Sequence, residues 1–118
     1  MSHPWKDLIV WQKAHQFVLE IYTQTNKFPD KERFGLTQQL RRSATSIAAN
    51  IVEGKSKNTD KEFVSFLYNS RGSLEETRYH LLLARDLGYI DEKEYESSEK
   101  MAIEISYLLN KLISSILK

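Results

Sequence analysis

Apolar residues at helical spacing dominate the segment 35–57, which reads GLTQQLRRSATSIAANIVEGKSK. These residues lie three or four positions apart, so they form one stripe along an α-helix: Leu36, Leu40, Ala44, Ile47 and Ile51. Because such a stripe has to be buried against other elements, this helix constrains the fold more than any other segment. Gly54 follows the stripe, and glycine commonly closes a helix in the left-handed conformation. We therefore expect the helix to end at Val52 or Glu53.

Polar residues run beside this stripe at the same three- and four-residue intervals: Gln39, Arg42, Ser43, Ser46, Asn50 and Glu53. Such a flank can be solvated, can form hydrogen bonds inside a bundle, or can face a partner. We interpret it as a structural polar seam that joins this helix to the next one or to a neighbouring subunit. In that interpretation Asn50 and Glu53 bond to groups such as Ser73 or Arg42.

Three further segments show a helical period, and they are predicted as helices over about 5–26, 59–87 and 92–117. Capping boxes begin the last two, Thr59 with Glu62 and Asp91 with Glu94. Gly88 is placed to close the third helix. Gly72, inside that helix, costs about 1 kcal/mol relative to alanine, and tight packing there would offset the cost. The predicted fold is all-α, an up-down-up-down antiparallel four-helix bundle forming a single domain over 1–118.

The first and fourth helices carry more apolar surface than one buried stripe needs. On the first helix, Trp11, Val18 and Tyr22 lie about 100° round from the core-facing row. On the fourth, Ile103 and Tyr107 point away from the inward row. Aromatic residues in such positions can stack on single-stranded bases or anchor a subunit interface, and we favour the interface. The sequence therefore predicts a homo-oligomer that uses these faces.

Charge is unevenly distributed along a chain whose net charge is only +1. Residues 1–71 hold eleven Lys or Arg against seven Asp or Glu, a net charge of +4, whereas residues 72–118 have a net charge of −3. This asymmetry can present a basic region to an anionic partner. It can equally let neighbouring helices or subunits complement each other, and the sequence leaves both alternatives open.

No pattern for catalysis, a cofactor or a metal is found in the sequence. The chain has no cysteine and three histidines, none of them with a second histidine at ligand spacing. It also lacks a nucleophile elbow, a phosphate-binding loop and a dinucleotide fingerprint. With no signal-like start and no long apolar run, we expect a cytoplasmic protein that is not an enzyme and does not contact a membrane.

The segment QQLRRSATSIAANIVEG resembles the signature QLRRAxxSIPSNIAEG of four-helix proteins encoded in intervening sequences of bacterial 23S rRNA genes. Ten residues carry the resemblance: Gln39, Leu40, Arg41, Arg42, Ser46, Ile47, Asn50, Ile51, Glu53 and Gly54. Ala48 departs from the proline frequent in the family, so we expect a straighter helix. The similarity extends to residues 7–14, 72–76 and 84–90. It implies a four-helix bundle in five-membered rings, with relatives that act as accessory variability proteins of diversity-generating retroelements.

Together these features predict a homo-oligomer, by resemblance a pentamer, that binds nucleic acid with low sequence specificity. RNA is the first candidate and DNA the second. The candidate contacts are Arg41, Lys55, Lys57 and Lys61, although such residues can also serve only to keep a ring soluble. The alternative is a scaffold ring that binds a protein, such as a reverse transcriptase, without touching nucleic acid. The low net charge favours that alternative.

Overall fold

The computed structural model describes residues 3–118 of the chain. Its four helices are α1 (Ile9–Thr25), α2 (Leu36–Lys55), α3 (Asp60–Asp86) and α4 (Glu92–Ile116). A single 3-10 turn, Asp30–Glu32, lies in the connection between α1 and α2. Because residues 3–118 contain no strand, the all-α prediction is confirmed.

Each helix packs against two others, and together they close a bundle with extents of 43 × 25 × 21 Å. α2 contacts α1 and α3, and α4 closes the bundle by contacting the same two helices. Short connections make successive helices antiparallel, so the predicted up-down-up-down bundle is confirmed. The apolar stripe of α2 is buried in a core shared by all four helices. The predicted domain begins at residue 1, but Met1 and Ser2 lie outside the described residues.

Local signals fix most of the helix ends. The hydroxyl of Thr59 accepts a hydrogen bond from the backbone N–H of Glu62 (3.2 Å), and Asp91 forms a complete capping box with Glu94. Gly88 adopts the left-handed conformation with φ 80° just beyond α3. These three predicted boundaries are confirmed. In the described part of the chain, each helix falls short of the length and apolarity that a membrane span requires.

Two predicted boundaries are wrong. α1 begins at Ile9 and not at Trp5, because the backbone of Leu8 is extended (φ −74°, ψ 121°). α2 runs through Gly54 to Lys55, so Gly54 does not close the helix. A Cβ atom on Gly54 would lie 2.8 Å from Cβ of Phe66 and 3.2 Å from the carbonyl oxygen of Phe63. This glycine therefore permits the close approach of α2 and α3.

Gly72 shows the opposite situation from Gly54. A Cβ atom built on Gly72 would meet no heavy atom within 4 Å. The tight packing expected there is therefore wrong, and nothing in the surrounding contacts offsets the helix-destabilising effect of this glycine.

Candidate functional site

One end of the bundle carries a group of exposed lysines. This lysine end comprises residues 3–10, 53–62 and 111–118, where α1 and α3 begin and α2 and α4 end. Six lysines there face four carboxylate side chains, whereas the opposite end, residues 20–41 and 85–96, holds six basic and eight acidic side chains. The lysines are Lys6, Lys55, Lys57, Lys61, Lys111 and Lys118. None of the six takes part in an ion pair with another described residue.

Three of the predicted nucleic-acid contacts, Lys55, Lys57 and Lys61, lie together at the connection between α2 and α3. We call them the lysine cluster. The ammonium of Lys55 lies 5.6 Å from the ring centroid of Phe63, and that of Lys57 lies 5.2 Å from the ring centroid of Phe66. Such cation–π contacts order a long side chain while its charged head stays in water. Two of the three lysines are therefore held in place at the surface.

Arg41 is separated from the lysine cluster. It lies fourteen residues before Lys55 on α2, a distance of about 21 Å along a helix. Its Nε donates to Oγ1 of Thr25 (2.8 Å) and its Nη2 donates to Oδ1 of Asn26 (3.1 Å). Its guanidinium also lies 4.6 Å from the ring centroid of Tyr22. Arg41 thus joins α2 to the end of α1, and the four predicted contacts do not form one surface.

Hydroxyl groups join α2 to α3 along the polar seam. The hydroxyl of Ser73 donates to that of Ser46 (3.0 Å), and the hydroxyl of Thr77 donates to that of Ser43 (2.8 Å). Ser70 donates to the carbonyl oxygen of Ile47 (2.8 Å). Ser43, Ser70 and Thr77 are fully buried. Since a buried polar group without a partner is costly, these bonds hold the two helices in one register.

Three members of the polar seam, Gln39, Asn50 and Glu53, form no side-chain hydrogen bond or ion pair with α3 among the described residues. The side-chain amide of Asn50 donates to the carbonyl oxygen of Ser46, 2.8 Å away and one turn earlier in α2, so the predicted bond to Ser73 is replaced by a bond within the helix. Glu53 is exposed near the end of α2. Arg42 instead forms the charged contact between the seam and α3. It donates to Gln39 (3.0 Å) and pairs with Glu76 of α3.

A serine, a histidine and a carboxylate come together inside this seam, a set that the sequence did not suggest. Oγ of Ser43 lies 3.4 Å from Nδ1 of His80, whose Nε2 lies 3.8 Å from Glu76. Burial lowers the pKa of His80, and nearby Glu76 opposes that shift only in part. Ser43 is 0% exposed, so no substrate can reach its hydroxyl. The arrangement is structural, and its only sequence signal is the i, i+4 spacing of Glu76 and His80.

An apolar groove with a volume of about 450 Å³ lies between α1 and α2. Trp11, Val18 and Tyr22 of the predicted oligomer interface all line this α1–α2 groove. The other lining residues are His15, Leu19, Thr45, Ala48, Ala49 and Val52. Ile103 and Tyr107 are exposed on α4 (54% and 63%) and do not line it. The predicted interface residues thus occupy two separate surfaces of one subunit.

A ladder of four aromatic rings leads from the lysine end to the mouth of this groove. His3 stacks on Trp5, Trp5 contacts Trp11 at a tilt, and Trp11 stacks on His15. Successive ring centroids are 5.0, 4.7 and 5.1 Å apart. Because the rings come from the segment before α1 and from α1 itself, the ladder fixes the approach of that segment to the helix.

A second cavity, the α3–α4 pocket, opens at the lysine end and has a volume of about 560 Å³. Its walls combine apolar, aromatic and charged side chains from the start of α3 and the end of α4. The lining residues are Asp60, Lys61, Val64, Ser65, Tyr68, Ile116 and Leu117. Within residues 3–118, no group of three or more His, Cys, Asp or Glu side chains is arranged to hold a metal ion.

The sequence matches the family model of the 23S rRNA-intervening sequence protein over residues 6–111. The chain belongs to this family. The match spans α1, α2 and α3 and most of α4, so it includes the polar seam, the groove and the lysine cluster. No protein with curated annotation matches the sequence.

A solved structure from the S23 ribosomal protein family supports the same assignment. This protein with unknown function, from Bacteroides thetaiotaomicron VPI-5482, is 30% identical to the chain and superposes with a TM-score of 0.83. The alignment covers 89% of this chain and 98% of the relative. In this chain, the signature segment forms most of α2, with the polar seam on one flank and the α1–α2 groove on the other.

Proposed function

We propose that the protein is a non-enzymatic, cytoplasmic homo-oligomer that binds nucleic acid, with RNA as the first candidate, at low sequence specificity. The observation that carries this proposal is the lysine cluster. Three exposed lysines lie at the end of α2, in the short connection that follows it and in the first turn of α3, at the more basic end of the bundle. None of them is paired with a carboxylate among the described residues. A phosphate backbone is the polyanion that such a surface fits.

The chemistry of the cluster supports low sequence specificity. Lysine ammonium groups bind phosphate as point charges, and phosphate contacts position a strand without reading its bases. The aromatic rings beneath Lys55 and Lys57 restrict their side chains, which lowers the entropy lost on binding. Binding of this kind releases counterions, so the affinity should fall steeply with salt.

Assembly would multiply the effect of a small cluster. The α1–α2 groove and the exposed α4 residues Ile103 and Tyr107 are two different surfaces, which suits a heterologous contact from one subunit to the next. Heterologous contacts close into rings when the rotation permits, and a pentamer is the ring that the family resemblance implies. Each added subunit brings another lysine cluster, so the summed field acting on a strand increases.

A scaffold that binds a protein is the second candidate function. It is favoured by the net charge of only +1 and by the apolar α1–α2 groove, whose small α2 residues would let a helix approach closely. In this candidate the ring holds a protein such as a reverse transcriptase, and the lysines serve solubility.

Two triple variants would test the proposed function. Lys55, Lys57 and Lys61 are replaced by alanine in the first, and Lys31, Lys93 and Lys100 in the control. The control lysines are exposed and lie outside the lysine end, and replacing them removes the same amount of charge. Anisotropy with an RNA strand and a DNA strand of equal sequence, from low to moderate salt, gives affinity and salt slope. The first variant should bind both strands more weakly, with a slope about 2 units flatter if each lysine neutralises one phosphate.

The control variant should bind with nearly the wild-type salt slope. Equal losses in the two variants would show that only net charge matters and would remove the lysine cluster as the site. Absence of any binding by the wild type at low salt would favour the scaffold candidate.

A further inference from the structure

The α3–α4 pocket adjoins the lysine cluster and shares Lys61 with it. Lys61, Val64, Ser65 and Tyr68 follow one another at helical spacing on a single face of α3. A strand bound at Lys61 would therefore lie at the rim of the pocket. The apolar surface of the pocket lies directly beside the charged surface of the lysine cluster, so one ligand can contact both.

The walls of the pocket suit a flat ring. Val64, Ile116 and Leu117 supply aliphatic surface, and Tyr68 supplies an aromatic wall that is 43% exposed. The guanidinium of Arg71 lies 4.9 Å from the ring centroid of Tyr68 and also donates to Oδ1 of Asn110 (3.0 Å). This bridge from α3 to α4 holds the tyrosine beside the cavity.

The polar groups of the pocket distinguish a base from a phosphate. The Asp60 carboxylate would repel a phosphate placed inside, but it can accept hydrogen bonds from base N–H groups. Ser65 can donate or accept. Lys61 at the rim complements the neighbouring phosphate. The charges of Asp60 and Lys61 thus favour an uncharged ring with polar edges inside the pocket, while the phosphates of the strand stay outside it.

We propose that the α3–α4 pocket takes an unpaired nucleobase from a strand whose phosphates contact the lysine cluster. The ligand class is therefore single-stranded nucleic acid. This inference rests on the proposed function, and it adds a base-dependent contribution to the electrostatic one. Bases in a duplex are paired and stacked, so they are not free to enter such a pocket.

The test compares a short RNA strand with a strand of equal length whose residues are abasic, so that the phosphates are the same. The wild type should bind the intact strand at least about fivefold more tightly, since one stacked base contributes about 1–3 kcal/mol, or about 5- to 150-fold. Tyr68→Ala should remove that preference while leaving the affinity for the abasic strand and for a duplex unchanged. Tyr79→Ala is the matched control, because Tyr79 is also exposed on α3 but does not line the pocket.

Ser65→Leu provides a second variant, which fills the pocket without changing charge and should also remove the preference. Equal wild-type affinity for intact and abasic strands would overturn the pocket inference and leave the proposed function standing. Retention of the preference in both Tyr68→Ala and Ser65→Leu would also overturn it. Binding of neither strand would contradict the proposed function itself.

Discussion

The two flanks of α2 differ in a way that reverses the usual distribution of polarity. The flank toward α3 is lined by hydroxyl groups that are buried and hydrogen-bonded, including Ser43, Ser70 and Thr77. The flank toward α1 is lined by Trp11, Tyr22 and small α2 residues, and it forms an open apolar groove. The buried hydroxyl groups on the first flank are all hydrogen-bonded inside the subunit. The apolar groups on the second flank are only partly covered.

This difference separates the residues that stabilise the fold from those available to a partner. Buried hydroxyl pairs specify one register between α2 and α3, because any other register leaves a polar group without a partner. An open apolar groove of this kind is typical of an interaction site. We therefore expect the subunit contact on the α1 side of α2, while the polar side joins α2 to α3 within the subunit.

The largest expected effect is loss of assembly after a change in the groove. Ala49→Glu places a charge on an exposed residue of the α1–α2 groove. A dissociation constant in the micromolar range corresponds to a free energy of association of about 8 kcal/mol. An unpaired carboxylate in the subunit contact should remove much of that free energy. Light scattering should give a multiple of 13.8 kDa for the wild type and a lower mass for the variant. Asn69→Glu, an exposed change on α3, should keep the wild-type mass, and a monomeric wild type would contradict the interface.

A glycine pair tests the close approach on the α3 side. Gly54→Ala should reduce the free energy of unfolding by up to about 3 kcal/mol, because the new methyl group meets Phe66 and the backbone of Phe63. Gly72→Ala should increase it by about 0.5–1 kcal/mol, since the new methyl group meets no atom and glycine weakens a helix. Urea unfolding measures both. A stabilised Gly54→Ala variant would show that α2 and α3 are not held as closely as described.

A threonine pair compares the two flanks directly. Thr77→Val keeps the shape of the side chain but removes the donor to Ser43, which should cost about 1–2 kcal/mol of stability. Thr45→Val, the same change on the groove side of α2, should alter stability by less than about 0.5 kcal/mol. Equal shifts in the urea midpoint would mean that the hydroxyls of the seam contribute no more than those of the groove.

Those features that depend on nearby residues were predicted from the sequence. The apolar stripe of α2 and the caps at Thr59 and Asp91 are local patterns, and all of them are found in the structure. The lysine cluster could be named because its members are close together in the chain. The end of α2 is not predicted correctly, because Gly54 is needed where two phenylalanines of α3 pack closely against it and not at a helix end.

Features that combine distant segments could not be predicted in this way. The sequence predicts Arg41 as a nucleic-acid contact, but its side chain bonds to Thr25, the last residue of α1, and to Asn26, which follows it. The α1–α2 groove and the α3–α4 pocket each require two helices in a known register. Assembly and nucleic-acid binding remain predictions, since both concern partners outside the subunit.

The aromatic ladder has a consequence for the optical properties of the protein. Trp5 and Trp11 are the only two tryptophans in the chain, and their ring centroids are 4.7 Å apart. Indole rings this close couple their electronic transitions, and Trp11 also lines the α1–α2 groove. The tryptophan fluorescence of this protein therefore comes from one corner of the bundle. A ligand or subunit that fills the groove changes the surroundings of that single chromophore pair, without any label being attached.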